Sequence, residues 1–316
     1  MLLQGIDVGF VFRQAARGDF FGEKQIVAGG IFITPPVTSE VRQRDYFRRI
    51  YFFRGAVIAT NDFASPGAQK LFEQEKWQKR TDPFILSFAS VSVTPPARKW
   101  EIEGFADLLK KHHQSFRARM CIELNVFNCV NVANNGRRRT MGDMEQEIED
   151  SLNYFGVLEI PCLVRVDAFF PLVVAKAIDK HPACDGFVVA NPIPWHAFPD
   201  RPALEHFFGK RSPLERAGGG AISGTLLTPL IRKWVLQASS YGLRKPIIAG
   251  GCFSRADIES MFNVGASAVL LDEVRYLRPW RVKAMITYAN KCGSAREERI
   301  KKVIHARFSR IAAKPL

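Results

Sequence analysis

Short, nearly all-apolar runs alternate along the chain with stretches in which apolar residues recur every three or four positions. The runs are 25–33, 84–93, 120–127, 161–166, 186–190, 246–249 and 268–271. A strand buried on both faces reads as a continuous apolar run, because helices cover one side and barrel packing the other. The intervening segments 68–79, 101–116, 144–155, 171–180, 226–241, 255–262 and 280–290 carry helical spacing. In 255–262, Ile258, Met261 and Phe262 share one face, and Ser254 stands at the N-cap position. Strand and helix in strict alternation predict parallel βα units. An eighth strand within 2–12 completes an eight-stranded α/β barrel, a (β/α)8 fold, over residues 1–290.

Two segments depart from the repeat. Residues 195–217, rich in proline and mixed charge, read as an insertion after the sixth strand. Residues 291–316 read as a basic helical tail, with Arg296, Arg299, Lys301, Lys302, Arg307, Arg310 and Lys314. These contribute to a net charge of +14 over 316 residues. That charge favours anionic partners, but the sequence has neither zinc-finger spacing nor an aromatic-basic platform, so nucleic acid is not the expected ligand. The tail is expected to dock on the barrel or on a second subunit. The N-terminus lacks the basic start and long apolar region of a signal peptide, and no run of about 18 apolar residues occurs, which reads as cytoplasmic with no membrane partner. The six cysteines show no Cys-x-x-Cys spacing, which argues against zinc or iron–sulfur ligation. Cys121, Cys162, Cys184 and Cys252 are expected in the core.

In such barrels the reacting groups sit at the C-terminal ends of the strands. The polar residues just past the apolar runs are Asn125 to Asn131, Arg165 and Asp167, Asn191, Gly250 and Gly251, and Asp272 and Glu273. Glycines between a strand and a helix let backbone amides approach an anion, or simply make a tight turn. Gly250 and Gly251 carry both readings, as does the predicted loop 218–224. The amides of Asn125 and Asn191 suit the edge of a heterocycle bearing adjacent N–H and C=O groups. Cys129, in a loop, could act as a base if its thiolate is accessible. Arg165 breaks an apolar strand and must either pair with a barrel carboxylate or face a ligand.

Three stretches resemble the FMN-dependent dihydroorotate dehydrogenase family. They are Ile122 to Val126 with Asn128, Cys129, Val130 and Asn131; Gly220 to Leu230; and Pro246 to Gly251 followed by Ala256, Asp257, Ile258 and 265–269. The resemblance runs from about Lys24 to Arg281. It implies that Cys129 removes a ring proton while hydride passes to flavin N5. It implies that Asn125, Asn131 and Asn191 bind a pyrimidine-like substrate, with Asn125 and Arg165 near the flavin. Gly220, Ser223, Gly224, Gly250 and Gly251 would meet flavin mononucleotide (FMN) through backbone, and a homodimer is implied. Three elements differ from the family pattern. Thr34-Pro35-Pro36 replaces a lysine-bearing element, Ala59 to Gly67 loses the substrate asparagines, and Asp272-Glu273 stands where Gly-Thr completes the phosphate cup. Three functions therefore remain open: an FMN-dependent oxidoreductase, a barrel that has lost FMN and binds a ligand or partner, and an enzyme acting on another phosphorylated or pterin-like metabolite.

Overall fold

A computed structural model describes residues 1–14, 19–20, 29–43, 50–60, 64–126 and 140–312; of residues 300 and 303–312 it describes the backbone. Eight parallel strands close into a barrel: β1 Val11–Gln14, β2 Ile31–Ile33, β3 Phe84–Ala89, β4 Met120–Asn125, β5 Cys162–Val166, β6 Cys184–Val189, β7 Ile247–Ala249 and β8 Ala268–Leu271. Each pairs with its sequence neighbours, and β8 closes on β1 with Leu271 opposite Arg13. The fold is the (β/α)8 barrel that the alternating pattern predicts.

Side chains on a barrel strand alternate between interior and exterior. The interior positions Phe12, Ile31, Ile33, Ile85, Cys121, Leu163, Val188, Ile248, Ala268 and Leu270 form one apolar cluster, shared with Leu3, Ile6 and Val8. Those three come from a hairpin, Leu2–Leu3 with Ile6–Asp7, that closes the N-terminal end of the barrel. The expected strand at 2–12 is thus two elements, because Gln4 and Gly5 take left-handed backbone angles and reverse the chain before β1. Outside the barrel a second, larger cluster joins strands to helices. Within it the Phe105 ring stacks on Phe88 at 4.1 Å and meets Phe72 and Phe155 at 6.3 and 6.2 Å.

Helix ends follow local chemistry. Thr140 and Asp143 form a capping box at the start of Met141–Gly156. The Ser254 hydroxyl accepts from the Asp257 amide, as its position in sequence suggests. The run predicted to extend to Val93 stops at Ala89 because the Glu101 carboxylate captures the chain beyond it. It accepts from the Val91 and Ser92 amides at 2.8 and 3.2 Å. The last helix, Pro279–Ala312, continues without a break across residue 290. It is held to the barrel where Gly293 lies against Phe10 and the Arg296 guanidinium bonds the carbonyls of Gly265 and Ala266.

Over the C-terminal mouth lies a four-stranded antiparallel sheet, ordered Ile193–Pro194, Ala221–Gly224, Ala56–Ala59, Ile50–Phe53. The stretch 218–224, expected as a loop, is therefore partly strand, since Ala221 to Gly224 pair residue by residue with Ala59 to Ala56. Within 195–217 the chain forms a helix, Arg201–Phe208, started by the Asp200 carboxylate accepting from the Ala203 amide. Among the described residues no helix is long and apolar enough to cross a membrane.

Phe105→Ala removes the ring at the centre of the stacked aromatic group. Loss of a buried phenyl ring costs about 3–5 kcal/mol, so urea unfolding of this variant should show that decrease with an unchanged denaturant slope.

Candidate functional site

One step above the apolar interior layer, the same two-residue alternation points Gln14, Ser87, Glu123, Arg165 and, past its strand, Asp272 toward the barrel axis. This second layer is polar and almost wholly buried. Arg165 sits at its centre: its Nη1 donates to Gln14 Oε1 at 2.6 Å and to Glu123 Oε1 at 3.4 Å, and its Nε donates to Asn191 Oδ1 at 2.8 Å. Its Nη2 lies 3.9 Å from Asp272 Oδ2. Arg165 thus pairs with barrel carboxylates.

The network runs outward from there. The Asn191 amide donates to Asn125 Oδ1 at 2.9 Å, joining two of the three asparagines that the resemblance implies for a substrate. The Ser87 hydroxyl donates to Glu123 Oε1 at 2.6 Å, and Gln14 donates to the Thr34 carbonyl at 2.6 Å. Among the described residues, the buried Glu123 Oε2 has no hydrogen-bond partner. Gln14, Ser87 and Glu123 carry no function in the sequence reading. The available signal was polar residues recurring at alternate positions in strands whose other inward residues are apolar. Cys129 and Asn131 lie outside the described residues. Cys121, Cys162, Cys184 and Cys252 are buried in the core as expected, and burial pushes the Cys121 and Cys184 thiols up to about 12.

The phosphate end implied by resemblance is a pocket lined by Ala190, Gly224, Gly250, Gly251, Asp272 and Glu273, among others. The structure brings Gly224, Gly250 and Gly251 together there, with Ser223 bonded to the Glu273 carboxylate. Gly220 lies instead beneath Leu214 and Ala59 at the start of the mouth sheet. The pocket does not fit a phosphate. Its volume is about 10 Å³, about the space of one water. The Gly250 amide already donates to the Val189 carbonyl at 3.0 Å, and the Thr225 amide to Gly55 at 2.9 Å. A side-chain carbon on Gly250 would fall 2.8 Å from Ala190 Cβ, and one on Gly251 3.2 Å from Thr228 Cα, so these glycines serve protein packing. Burial, then the neighbouring Asp272, pushes the Glu273 carboxyl up to about 7. A phosphate dianion would add further negative charge beside it.

No known family model matches the chain. The catalytic subunit of dihydroorotate dehydrogenase B (NAD(+)) from Geobacillus sp. (strain WCH70) is 24% identical over 257 residues, 79% of this chain and 75% of that protein. Its counterpart from Bacillus caldolyticus is 24% identical over 258 residues, 80% of this chain and 75% of its own. Among solved structures, the Amycolatopsis orientalis BexX/CysO complex aligns at 13% identity with a TM-score of 0.38, covering 84% of this chain and 78% of that one.

Removing the central cation strands a carboxylate that is 0% exposed. Breaking a buried ion pair from one side costs about 3–5 kcal/mol, and Arg165→Met should lose that much in urea unfolding, whereas adding Glu123→Gln should recover part of it. The Glu273 carboxyl makes stability pH-dependent with a definite sign. A carboxyl whose folded pKa lies above its unfolded value favours the folded state fully below the unfolded value, about 4.5, and this contribution is lost as pH rises through about 7. Glu273→Gln lacks it, so between pH 5 and 8 the urea midpoint of the parent should fall relative to that of the variant.

Proposed function

We propose that this chain is a divergent dihydroorotate-dehydrogenase-like barrel that binds a small polar ring at its mouth without carrying FMN. The observation behind this reading is the pocket at the ends of β7 and β8. It is too small for a phosphate, the backbone amide of Gly250 in its lining is already bonded within the protein, and Asp272 and Glu273 line it. The polar layer would supply recognition if Asn125 and Asn191 exchanged their mutual hydrogen bond for bonds to adjacent N–H and C=O groups of a planar ring, with Glu123 Oε2 as an acceptor for a further N–H.

A second reading is an FMN-dependent oxidoreductase acting on a dihydropyrimidine-like ring, with Cys129 as base. It draws support from the similarity to dihydroorotate dehydrogenase B subunits over about four-fifths of the chain and from the grouping of Asn125, Asn191 and Arg165. In this reading Asn125, Arg165, Gly224, Gly250 and Gly251 would hold the cofactor, and Asn131 would join the substrate site.

The purified protein separates the two. The first reading predicts a colourless preparation that does not quench added FMN fluorescence. It also predicts that Asp272→Gly with Glu273→Thr gains FMN affinity by about tenfold or more, since each close like-charge pair costs on the order of 1 kcal/mol. A yellow preparation that releases FMN on denaturation overturns the first reading and supports the second.

A further inference from the structure

We propose that the exposed start of the last helix, with the short helix Val274–Leu277 before it, binds single-stranded nucleic acid, its phosphates on a row of cations and its bases on two exposed rings. From Val274 to Ala295 the chain carries five basic residues, Arg275, Arg278, Arg281, Lys283 and Lys291, and no acidic one. Among the described residues none of the five is in an ion pair. The carboxylates just before them, Asp272 and Glu273, turn into the pocket at the barrel end. Glu259, from the neighbouring helix Arg255–Val264, accepts from the Tyr288 hydroxyl at 3.4 Å, and the Arg255 guanidinium stands 5.5 Å from the same ring.

Helical register separates these side chains from the core. Val282, Met285, Ile286 and Ala289 are buried on one face of the helix. At 3.6 residues per turn, Trp280, Lys283, Thr287 and Lys291 fall on the opposite face, and all four are exposed. Trp280 is 73% exposed and Tyr276 48%, and from residue 274 to 299 no other large hydrophobic side chain is exposed. Trp280 and Lys291 stand about 16 Å apart along the helix axis. The surface is therefore a line of cations with aromatic rings at one end.

That combination selects the partner. A run of carboxylates would satisfy the cations but leave the rings in water. A lipid surface would take up large aliphatic side chains, and this face exposes none. Single-stranded nucleic acid alternates phosphates with unpaired flat bases, and a basic track beside exposed aromatic rings holds both without reading sequence. Guanidinium groups suit phosphate, and that of Arg275 lies 4.8 Å from the Tyr276 ring centre, joining a cation to one of the two rings. Sequence analysis does not expect nucleic acid; the solvent exposure of Trp280 and Tyr276, which only the fold decides, changes that expectation.

Fluorescence anisotropy of the full chain with a labelled oligothymidylate tests this, with a DNA duplex of the same length, polyglutamate and phosphatidylserine vesicles as competitors. The net charge of +14 attracts any polyanion, so the discriminating results are strand preference and dependence on the ring. The single strand should bind more tightly than the duplex. Trp280→Ala should weaken it about tenfold, and Trp280→Phe, which keeps a ring, should retain most of the affinity. Arg281→Glu should weaken binding and flatten its dependence on salt. Trp100→Ala, at an equally exposed tryptophan on the helix Pro95–His112, should leave binding unchanged. These side chains face solvent, so the variants keep the fold. Absence of binding, equal affinity for the duplex, or parent-like binding by Trp280→Ala overturns the proposal. Stronger competition by polyglutamate or vesicles than by unlabelled oligothymidylate also overturns it, by assigning the surface to an acidic protein or a lipid headgroup.

Discussion

The arrangement of the barrel mouth depends on one buried cation. Arg165 lies on a strand whose other residues are all apolar or cysteine, and a guanidinium there is tolerable only because Gln14, Glu123 and Asn191 bond it and Asp272 lies near. These partners come from β1, β4 and the ends of β6 and β8. The cation thus ties together strands on opposite sides of the barrel and fixes the polar layer over the apolar one. Asn125 and Asn191 are oriented through the same network.

A layer satisfied this way also limits the chemistry above it. Asp272 and Glu273 face a region where Arg165 is the cation already engaged by Glu123. In the pocket they line, burial and then the neighbouring Asp272 raise the Glu273 carboxyl. Phosphate sites in α/β folds rely on unoccupied backbone amides at a helix N-terminus. Here the Gly250 and Thr225 amides are bonded to carbonyls of the protein. Similarity to dihydroorotate dehydrogenase B subunits does not by itself carry a phosphate site, because fold and site are separable.

Much of this was legible in sequence where burial alone decides. The strands stand close to the predicted runs because a strand covered on both faces must be apolar throughout. The limits of those runs were not legible where one distant side chain decides, as Glu101 does when it stops β3 at Ala89. Ala221 to Gly224 read as loop because the strand that pairs with them, Ala56–Ala59, is far away in sequence. At the site, Asn125, Arg165 and Asn191 stood out as polar residues at or beside strand ends. Gln14, Ser87 and Glu123 did not, since their importance comes from sharing a layer around a closed barrel. The acidic pair Asp272-Glu273 was legible as a conflict with phosphate, and the structure adds the lack of space.

Equilibrium dialysis of the protein against FMN and against riboflavin, which lacks the phosphate, isolates this conflict. The account predicts that FMN is retained no better than riboflavin at pH 8, where the Glu273 carboxylate is ionised. FMN held substantially more tightly than riboflavin would show the phosphate to be bound favourably and would contradict it.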